Sequence, residues 1–126
     1  MLEIVRIILR ESRPAGDDDP LGRSWLGYDE TRSGVENWEA NRGAWKLNPQ
    51  RIERCDFALF SHGGQIVLVA QISGVEQVPD AGGYTGRWSL LGNPLPGHRW
   101  EGAQTPGGRS FGSPITYLPI ESMERG

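Results

Sequence analysis

The chain has 126 residues, a net charge of −3 and a single cysteine. This length corresponds to one domain, which excludes a two-domain enzyme, and a lone cysteine excludes an internal disulfide or a cysteine-based metal site. The 18 glycines and 9 prolines argue against long helices. Against this loop-rich background the sequence holds five tryptophans, and side chains this large need either a core or a ligand to cover them.

Other bulk properties concern metals, membranes and compartment. The two histidines are too few for a zinc site without carboxylate help, so we expect no metal and no cofactor. The longest apolar run covers only residues 66–70, whereas a membrane helix needs ~18 or more, so no membrane span is expected. The first residues include Glu3 and do not fit a secretory signal, and together with the cysteine usage this predicts a reducing, cytoplasmic location.

The N-terminal region begins with a candidate strand. Residues 2–9 are rich in Ile and Val and apolar on both alternating faces, which predicts a strand covered on both sides, although a short helix fits the same residues. Residues 13–22 combine prolines, a glycine and the acids Asp17, Asp18 and Asp19. This composition predicts a flexible loop with a solvated acidic tract.

Two short helices are predicted next. Ser33 and Glu36 have the spacing of a capping box, in which each side chain bonds a free amide of the other residue, and this predicts a helix over about 34–41. Asn48 followed by Pro49 predicts a second helical turn through residues 50–54, because proline suits the first helical position.

The remaining chain is predicted to form strands. Residues 56–61 and 65–73 are strand-like runs joined by His62, Gly63 and Gly64, whose glycines allow a tight turn, so they predict a hairpin. Further strands are predicted at 86–91, 99–102 and 113–119. The whole chain, residues 1–126, is therefore predicted to be one α+β, mainly β domain: a small, partly closed barrel of five or six strands with one or two short helices.

Charge is distributed unevenly along the chain. Residues 1–39 carry five arginines against nine acidic residues, whereas residues 40–110 carry seven basic residues against five acidic ones. Twelve of the 13 basic residues are arginine, which suits bidentate phosphate recognition and stacking on aromatic rings. A GC-rich codon usage would also favour arginine, so this signal has two explanations.

Two clusters combine tryptophan with arginine, at residues 36–46 and 85–92. An indole stacks on a nucleobase for about 1–3 kcal/mol, while guanidinium or amide groups contact the base edge or a phosphate. A domain this small also needs some tryptophans for its core. We predict that Trp38 and Trp88 belong to the core, whereas the following three line a pocket: Trp25, Trp45 and Trp100.

The order of motifs over residues 33–118 resembles that of small actinobacterial proteins with an Arg-Gly-x-Trp motif, a hairpin, Gly-Arg-Trp-x-Phe-x-Gly and Asn-Pro-x-x-Tyr. Here these motifs correspond to Arg42 to Trp45, to Gly86 to Gly92 with Leu90 in place of Phe, and to Ser113 to Tyr117 with Ser in place of Asn. The pattern is similar to the PUA-like superfamily, the β-barrel group that includes the EVE, YTH, ASCH and SRA domains.

The resemblance implies a reader of modified nucleic acid. In that superfamily an aromatic-lined pocket accepts one flipped base, and stacking in the pocket offsets the cost of unstacking it. Bacterial members are often sensors in restriction systems that target modified DNA. Residue by residue, the resemblance assigns the following to the site: Arg42, Trp45, Arg87, Trp88 and Tyr117.

The resulting hypothesis is a non-enzymatic module that binds a modified base in DNA, or less favourably in RNA. Trp45 and Trp25 would stack on the base, Asn41 would contact its edge, and Arg42 and Arg87 would hold flanking phosphates. The candidate site is completed by Lys46, Trp88, Trp100 and Tyr117.

A defence role would place an effector nuclease on another chain. The alternative is a protein–protein or small-molecule binding subunit of a defence or toxin system, and an enzyme is the third choice. Because the chain is net acidic, binding is expected to depend only weakly on salt.

Overall fold

The chain folds around one five-stranded sheet in a computed structural model that describes residues 2–80, 84–107 and 113–124. The strand order is β6-β5-β4-β1-β7; β1 is parallel to β4 and the other neighbours are antiparallel, while β2 and β3 form a separate pair. The elements in chain order are β1 (Glu3–Ile8), β2 (Arg13–Pro14), β3 (Trp25–Leu26), α1 (Gly34–Asn41), α2 (Pro49–Ile52), β4 (Cys55–His62), β5 (Gln65–Gln77), β6 (Trp88–Pro94), β7 (Ile115–Pro119) and α3 (Glu121–Glu124). The mainly β class is confirmed, and the open sheet is compatible with a partly closed barrel.

Strand β1 lies inside the sheet, between β4 and β7. Its side chains are buried on both faces: Val5 and Ile7 on one side, Ile4 and Arg6 on the other. The continuous apolar run is therefore explained by cover on both faces, as predicted.

The helix boundaries follow local capping chemistry. At the start of α1 the Ser33 hydroxyl accepts from the Glu36 amide at 3.1 Å, and the Glu36 carboxylate accepts from the Ser33 amide at 3.0 Å. At the start of α2 the Asn48 side chain accepts from the amides of Gln50 and Arg51, and Pro49 takes the first helical position. Both predicted helices are confirmed because their signals are local in sequence.

The hairpin of β4 and β5 forms at the predicted place, with Gly63 and Gly64 at φ 61° and 82°. The strand predicted at 99–102 is wrong. The backbone there is a turn, because the Glu101 carboxylate accepts from the amides of Gly97 and His98 and folds the segment back.

Each face of the sheet carries its own core. The core under α1, called here the helix-side core, contains Trp38, whose ring meets Phe60 edge-on at 6.0 Å. The core on the other face, called the opposite core, is closed by Trp100, which contacts Phe57 at 5.4 Å. Side chains of successive strand residues alternate between these two cores.

The segment 13–22 differs from the solvated loop that its composition predicts. It contains strand β2, and the Asp19 side chain is 2 % exposed and paired with Arg23 at 2.7 Å, while Asp17 and Asp18 are exposed. The Asp19 carboxylate also accepts from the amides of Leu21 and Arg23. One acid of the tract is thus a structural group that holds this segment in place.

Among the helices of the described ranges, none combines the length and apolar character needed to cross a bilayer. The longest, α1, has 8 residues.

Candidate functional site

A cavity of about 590 Å³ opens at the carboxyl end of β1, between the β2–β3 pair and the segment that follows α1. This volume lies in the range of small-molecule sites, about 300–1,000 Å³. Its described lining contains no acidic side chain, and its basic side chains are all arginines. We call it the arginine cavity after these four residues: Arg10, Arg13, Arg23 and Arg87.

The floor of the cavity depends on a close contact between Gly27 and the chain that follows β1. Gly27 has φ 86°, and a Cβ there would lie 2.3 Å from the Glu11 carbonyl oxygen, so only glycine fits. The buried Asn41 side chain accepts from the Gly27 amide at 3.0 Å and donates to the Gly27 and Asn37 carbonyls at 2.8 and 2.9 Å. Asn41 therefore fixes the end of β3 onto α1.

Residues 43–45, which follow α1 and form one wall of the cavity, pack closely against strand β6. A Cβ on Gly43 would lie 2.4 Å from the Ser89 hydroxyl, and Trp45 exchanges backbone hydrogen bonds with Trp88 at 3.0 and 2.9 Å. The small residue in the Arg-Gly-x-Trp motif thus serves the approach of another strand. Between Gly43 and Trp45, Ala44 adopts the left-handed conformation at φ 58°, which is uncommon for a residue with a side chain.

Trp45 is the aromatic residue of this wall that lines the cavity, and it is half-buried. Its indole N–H donates to the Asn41 carbonyl at 2.7 Å. This bond fixes the ring at one edge while the residue stays at the cavity surface. Tyr84 is a second aromatic residue of the lining.

Arg23 is fully engaged with the protein. It contacts both carboxylate oxygens of Asp19 and donates to the carbonyls of Ala40 and Gly43 at 3.2 and 2.7 Å. Burial raises the pKa of Asp19, but hydrogen bonds from Arg23 and Leu21 and the Arg23 charge outweigh it, so the pKa lies below its ordinary value. The charge of Arg23 is neutralised, and its role is to shape the cavity.

Arg87 is partly engaged. One of its terminal nitrogens donates to the Ala44 carbonyl at 3.2 Å, and its guanidinium lies 5.5 Å from the centre of the Tyr84 ring. Its Nε is buried and has no hydrogen-bond partner among the described residues. A buried donor without a partner is costly, so the hydrogen bonds of Arg87 within the described fold are incomplete.

Arg10 and Arg13 are exposed at the same cavity. Within the described ranges, neither side chain forms a hydrogen bond or an ion pair. Their backbones are fixed: the Arg10 carbonyl accepts from the Tyr28 amide at 2.8 Å, and Arg13 pairs with Leu26 in the β2–β3 ladder. Two guanidinium groups without an acidic partner among the described residues therefore extend from hydrogen-bonded backbone.

Three residues of the predicted site line the arginine cavity: Asn41, Trp45 and Arg87. The base-edge role of Asn41 is corrected, because its amide is 2 % exposed and its oxygen and nitrogen already bond the backbone of Gly27 and Asn37.

Three predicted residues in the two tryptophan–arginine clusters do not line it. Arg42 lies outside the cavity lining, 3.5 Å from the Glu39 carboxylate, and donates to the Leu90 carbonyl at 3.3 Å, while its predicted phosphate contact stays a prediction. Trp88 packs against the helix-side core, in agreement with its predicted place in the core. Lys46 is exposed and lies outside the cavity lining.

The other three predicted positions lie elsewhere. Trp25 is 44 % exposed outside the cavity lining, with the Arg32 guanidinium 4.8 Å from its ring centre. Trp100 is 6 % exposed in the opposite core, so its pocket prediction is wrong: the ring is used to close that core.

Tyr117 also serves packing. Its hydroxyl accepts from the Asn48 amide at 2.9 Å, and the Arg51 guanidinium lies 4.6 Å from its ring centre. Burial raises the pKa of this phenol. Tyr117 ties β7 to the start of α2 and does not reach the cavity.

Sequence reasoning missed most of the cavity's charge. Arg10 and Arg13 come from the N-terminal region that is acidic in sum, and Tyr84 lies outside the matched motifs. The one available signal was position: Arg10 comes two residues after the end of a buried strand, and side chains at strand ends often line sites.

Cys55, His62 and His98 each have a partner within the fold. The Cys55 thiol donates to the Arg51 carbonyl at 3.5 Å, and burial raises its pKa to about 11, so it is protonated at neutral pH. The His98 ring accepts from the Trp100 amide, and the His62 ring packs on Tyr28. Over residues 2–80, 84–107 and 113–124, no three His, Cys, Asp or Glu side chains group as metal ligands.

No family model matches the sequence, and comparison with curated proteins and with solved structures finds no match.

Proposed function

We propose that the chain is a binding module that accepts a nucleobase of DNA or RNA, and preferentially a modified one, in the arginine cavity. The observation that carries the proposal is the composition of one cavity: Trp45 and Tyr84 together with four arginines and no acid among its described lining residues. Aromatic faces bind bases, and guanidinium groups bind the phosphates beside them. The resemblance to PUA-like proteins supports the preference for a modified base.

The size of the cavity supports one base rather than a helical segment. A volume of about 590 Å³ suits a single flipped nucleotide, and flipping costs least where a base is already unpaired or damaged. We therefore favour single-stranded or mismatched DNA over intact duplex. Of the predicted stacking pair only Trp45 remains in the proposed site, and Tyr84 takes the place of Trp25.

The first test compares tryptophans inside and outside the cavity. Binding of 3′-fluorescein DNA containing one 5-methylcytosine or one N6-methyladenine is measured by anisotropy, with unmodified DNA of the same sequence as reference. Trp45→Leu should weaken the preferred complex about tenfold or more, because stacking is worth about 1–3 kcal/mol. Trp25→Leu is the matched control and should stay within about twofold.

The outcomes separate three functions. Equal affinity for modified and unmodified DNA would remove the modified-base function and leave a general nucleic-acid module. Binding of free nucleotides without binding of DNA or RNA would instead support the small-molecule alternative. If none of these probes binds, the proposed function is wrong.

Salt gives an independent check. Contacts from the cavity arginines to about three phosphates predict a log–log slope of about −2 for single strands, far shallower than that of a broad basic surface. A much steeper slope would indicate binding outside the cavity.

A further inference from the structure

We propose that the arginine cavity contains a subsite for a phosphomonoester dianion, formed by Arg10, Arg13 and Arg87, so that its preferred ligand is a nucleotide with a terminal phosphate. The inference rests on the proposed function for the nucleoside part of that ligand. The phosphate subsite itself follows from which arginines of the cavity are already neutralised and which are not.

The first step is the charge balance. Arg23 is paired with Asp19 at 2.7 Å and donates to two backbone carbonyls, so it adds no free charge to the cavity. Arg10, Arg13 and Arg87 have no acidic partner in the described part of the chain. The cavity therefore offers about three uncompensated positive charges, whereas one internal phosphodiester supplies a single negative charge.

The second step is the supply of donors. Each guanidinium has five N–H groups in a rigid fork that matches phosphate oxygens. Arg87 uses one terminal nitrogen on the Ala44 carbonyl, and its other terminal nitrogen has no hydrogen-bond partner among the described residues. Arg10 and Arg13 keep their full sets, on a backbone held by Tyr28 and Leu26. A terminal phosphate has three free oxygens to accept from these groups, whereas a phosphodiester has two.

The third step is the neighbouring surface. Trp45 lines the same cavity as the three arginines, and Tyr84 lies beneath Arg87 at 5.5 Å. A ligand with a planar ring next to a dianion would contact both kinds of surface. A nucleoside monophosphate and the 5′-phosphorylated end of a strand both combine a planar ring with a phosphate dianion. Inorganic phosphate has the charge but no ring.

The test uses paired ligands that differ only by the phosphate. Affinities are measured for 3′-labelled single-stranded DNA with a 5′-phosphate or a 5′-hydroxyl, for a nucleoside 5′-monophosphate against the nucleoside, and for inorganic phosphate. We expect the 5′-phosphate to raise affinity about tenfold or more. A gain for the monophosphate with no gain for the DNA end would assign the site to free nucleotides.

The variants are the double change Arg10→Gln with Arg13→Gln and, as control, Arg54→Gln, an exposed arginine outside the cavity. The double variant should lose most of the gain that the 5′-phosphate gives, measured within one protein as the ratio of affinities for the two DNA forms, while Arg54→Gln should keep that ratio. Because Arg10 and Arg13 are exposed, both proteins should fold, and an unchanged melting temperature checks this.

The outcomes distinguish the two proposals. If both DNA forms bind equally to the wild type and the monophosphate binds no better than the nucleoside, the phosphate subsite is wrong and the proposed function stands. If no DNA binds but inorganic phosphate raises the melting temperature of the wild type and not of the double variant, the subsite stands and the proposed function fails. If a terminal phosphate changes nothing in any ligand, the inference is overturned.

Discussion

The two faces of the sheet use tryptophan in opposite ways. In the opposite core Trp100 is enclosed by Phe57 and His98 and is 6 % exposed. On the other side of the sheet, Trp45 is held at one edge by the Asn41 carbonyl and lines a cavity with uncompensated arginines. Trp100, like Trp38 in the helix-side core, therefore closes a core, whereas Trp45 borders a cavity in which Arg10, Arg13 and Arg87 have no acidic partner among the described residues.

The largest expected effect on stability comes from a substitution in the opposite core. Trp100→Ala removes a buried indole and should lower the free energy of unfolding by about 3–5 kcal/mol. Urea denaturation measures this loss. The matched change Trp25→Ala, at a ring that is 44 % exposed, should cost much less. If Trp100→Ala also abolished ligand binding below its melting temperature, the two faces would not be independent.

The second-largest effect tests whether Asn41 supports the backbone around the cavity or contacts the ligand directly. Asn41→Ala leaves the Gly27 amide and carbonyl without their partners in a buried position, so we expect a loss of about 3 kcal/mol in stability. Asn93, exposed on β6, provides the control Asn93→Ala. A stable Asn41→Ala protein that had lost only binding would instead restore the direct base contact predicted for this residue.

The Asp19–Arg23 pair predicts a pH dependence. The pKa of Asp19 is lowered in the fold, so its contribution is fully present above the ordinary value of about 3.9 and is lost as pH falls through the folded pKa. Asp19→Asn should cost about 2 kcal/mol at pH 7 and flatten the acid limb of the stability curve. Asp18→Asn, at an exposed neighbour, should change neither, and an identical acid limb in Asp19→Asn would contradict the assignment.

The smallest effect concerns the cavity wall. Glycine at position 44 would relieve the left-handed conformation at φ 58° but lose a buried methyl group, so Ala44→Gly should change stability by less than about 1 kcal/mol. Ala40→Gly, in α1, has no such relief and should cost about 1 kcal/mol or more. Thermal unfolding of the two variants side by side measures the difference.

The sequence predicted those parts of the fold whose signals are local. The capping box of Ser33 and Glu36, the proline turn at Pro49 and the glycines of the hairpin each act within a few residues, and all three are present. The strand predicted at 99–102 failed because Trp100 fits a strand or a turn equally well, and its cover by the opposite core is a tertiary effect.

The candidate site was less predictable because it is not local. Arg10 and Arg13 come from a segment with an acidic sum, and they meet Arg87 only through the fold. The net charge of residues 1–39 therefore gave no indication that Arg10 and Arg13 line a basic cavity. Trp45 and Arg87 were found because each belongs to a compact motif, whereas Arg42 resembled them in sequence and turned out to pair with Glu39.

The parallel pairing of β1 has a consequence for how the site comes into being. Ile4 pairs with Phe57 on one side and with Leu118 on the other, so the first strand gains its first neighbour only after about half of the chain has been synthesised and its second only when β7 follows. Such non-local pairing slows folding. The cavity collects residues from β1, from the end of α1 and from Ser113 and Pro114 before β7. The cavity is therefore complete only once β7 has joined the sheet, and a fragment that lacks β7 would not form it.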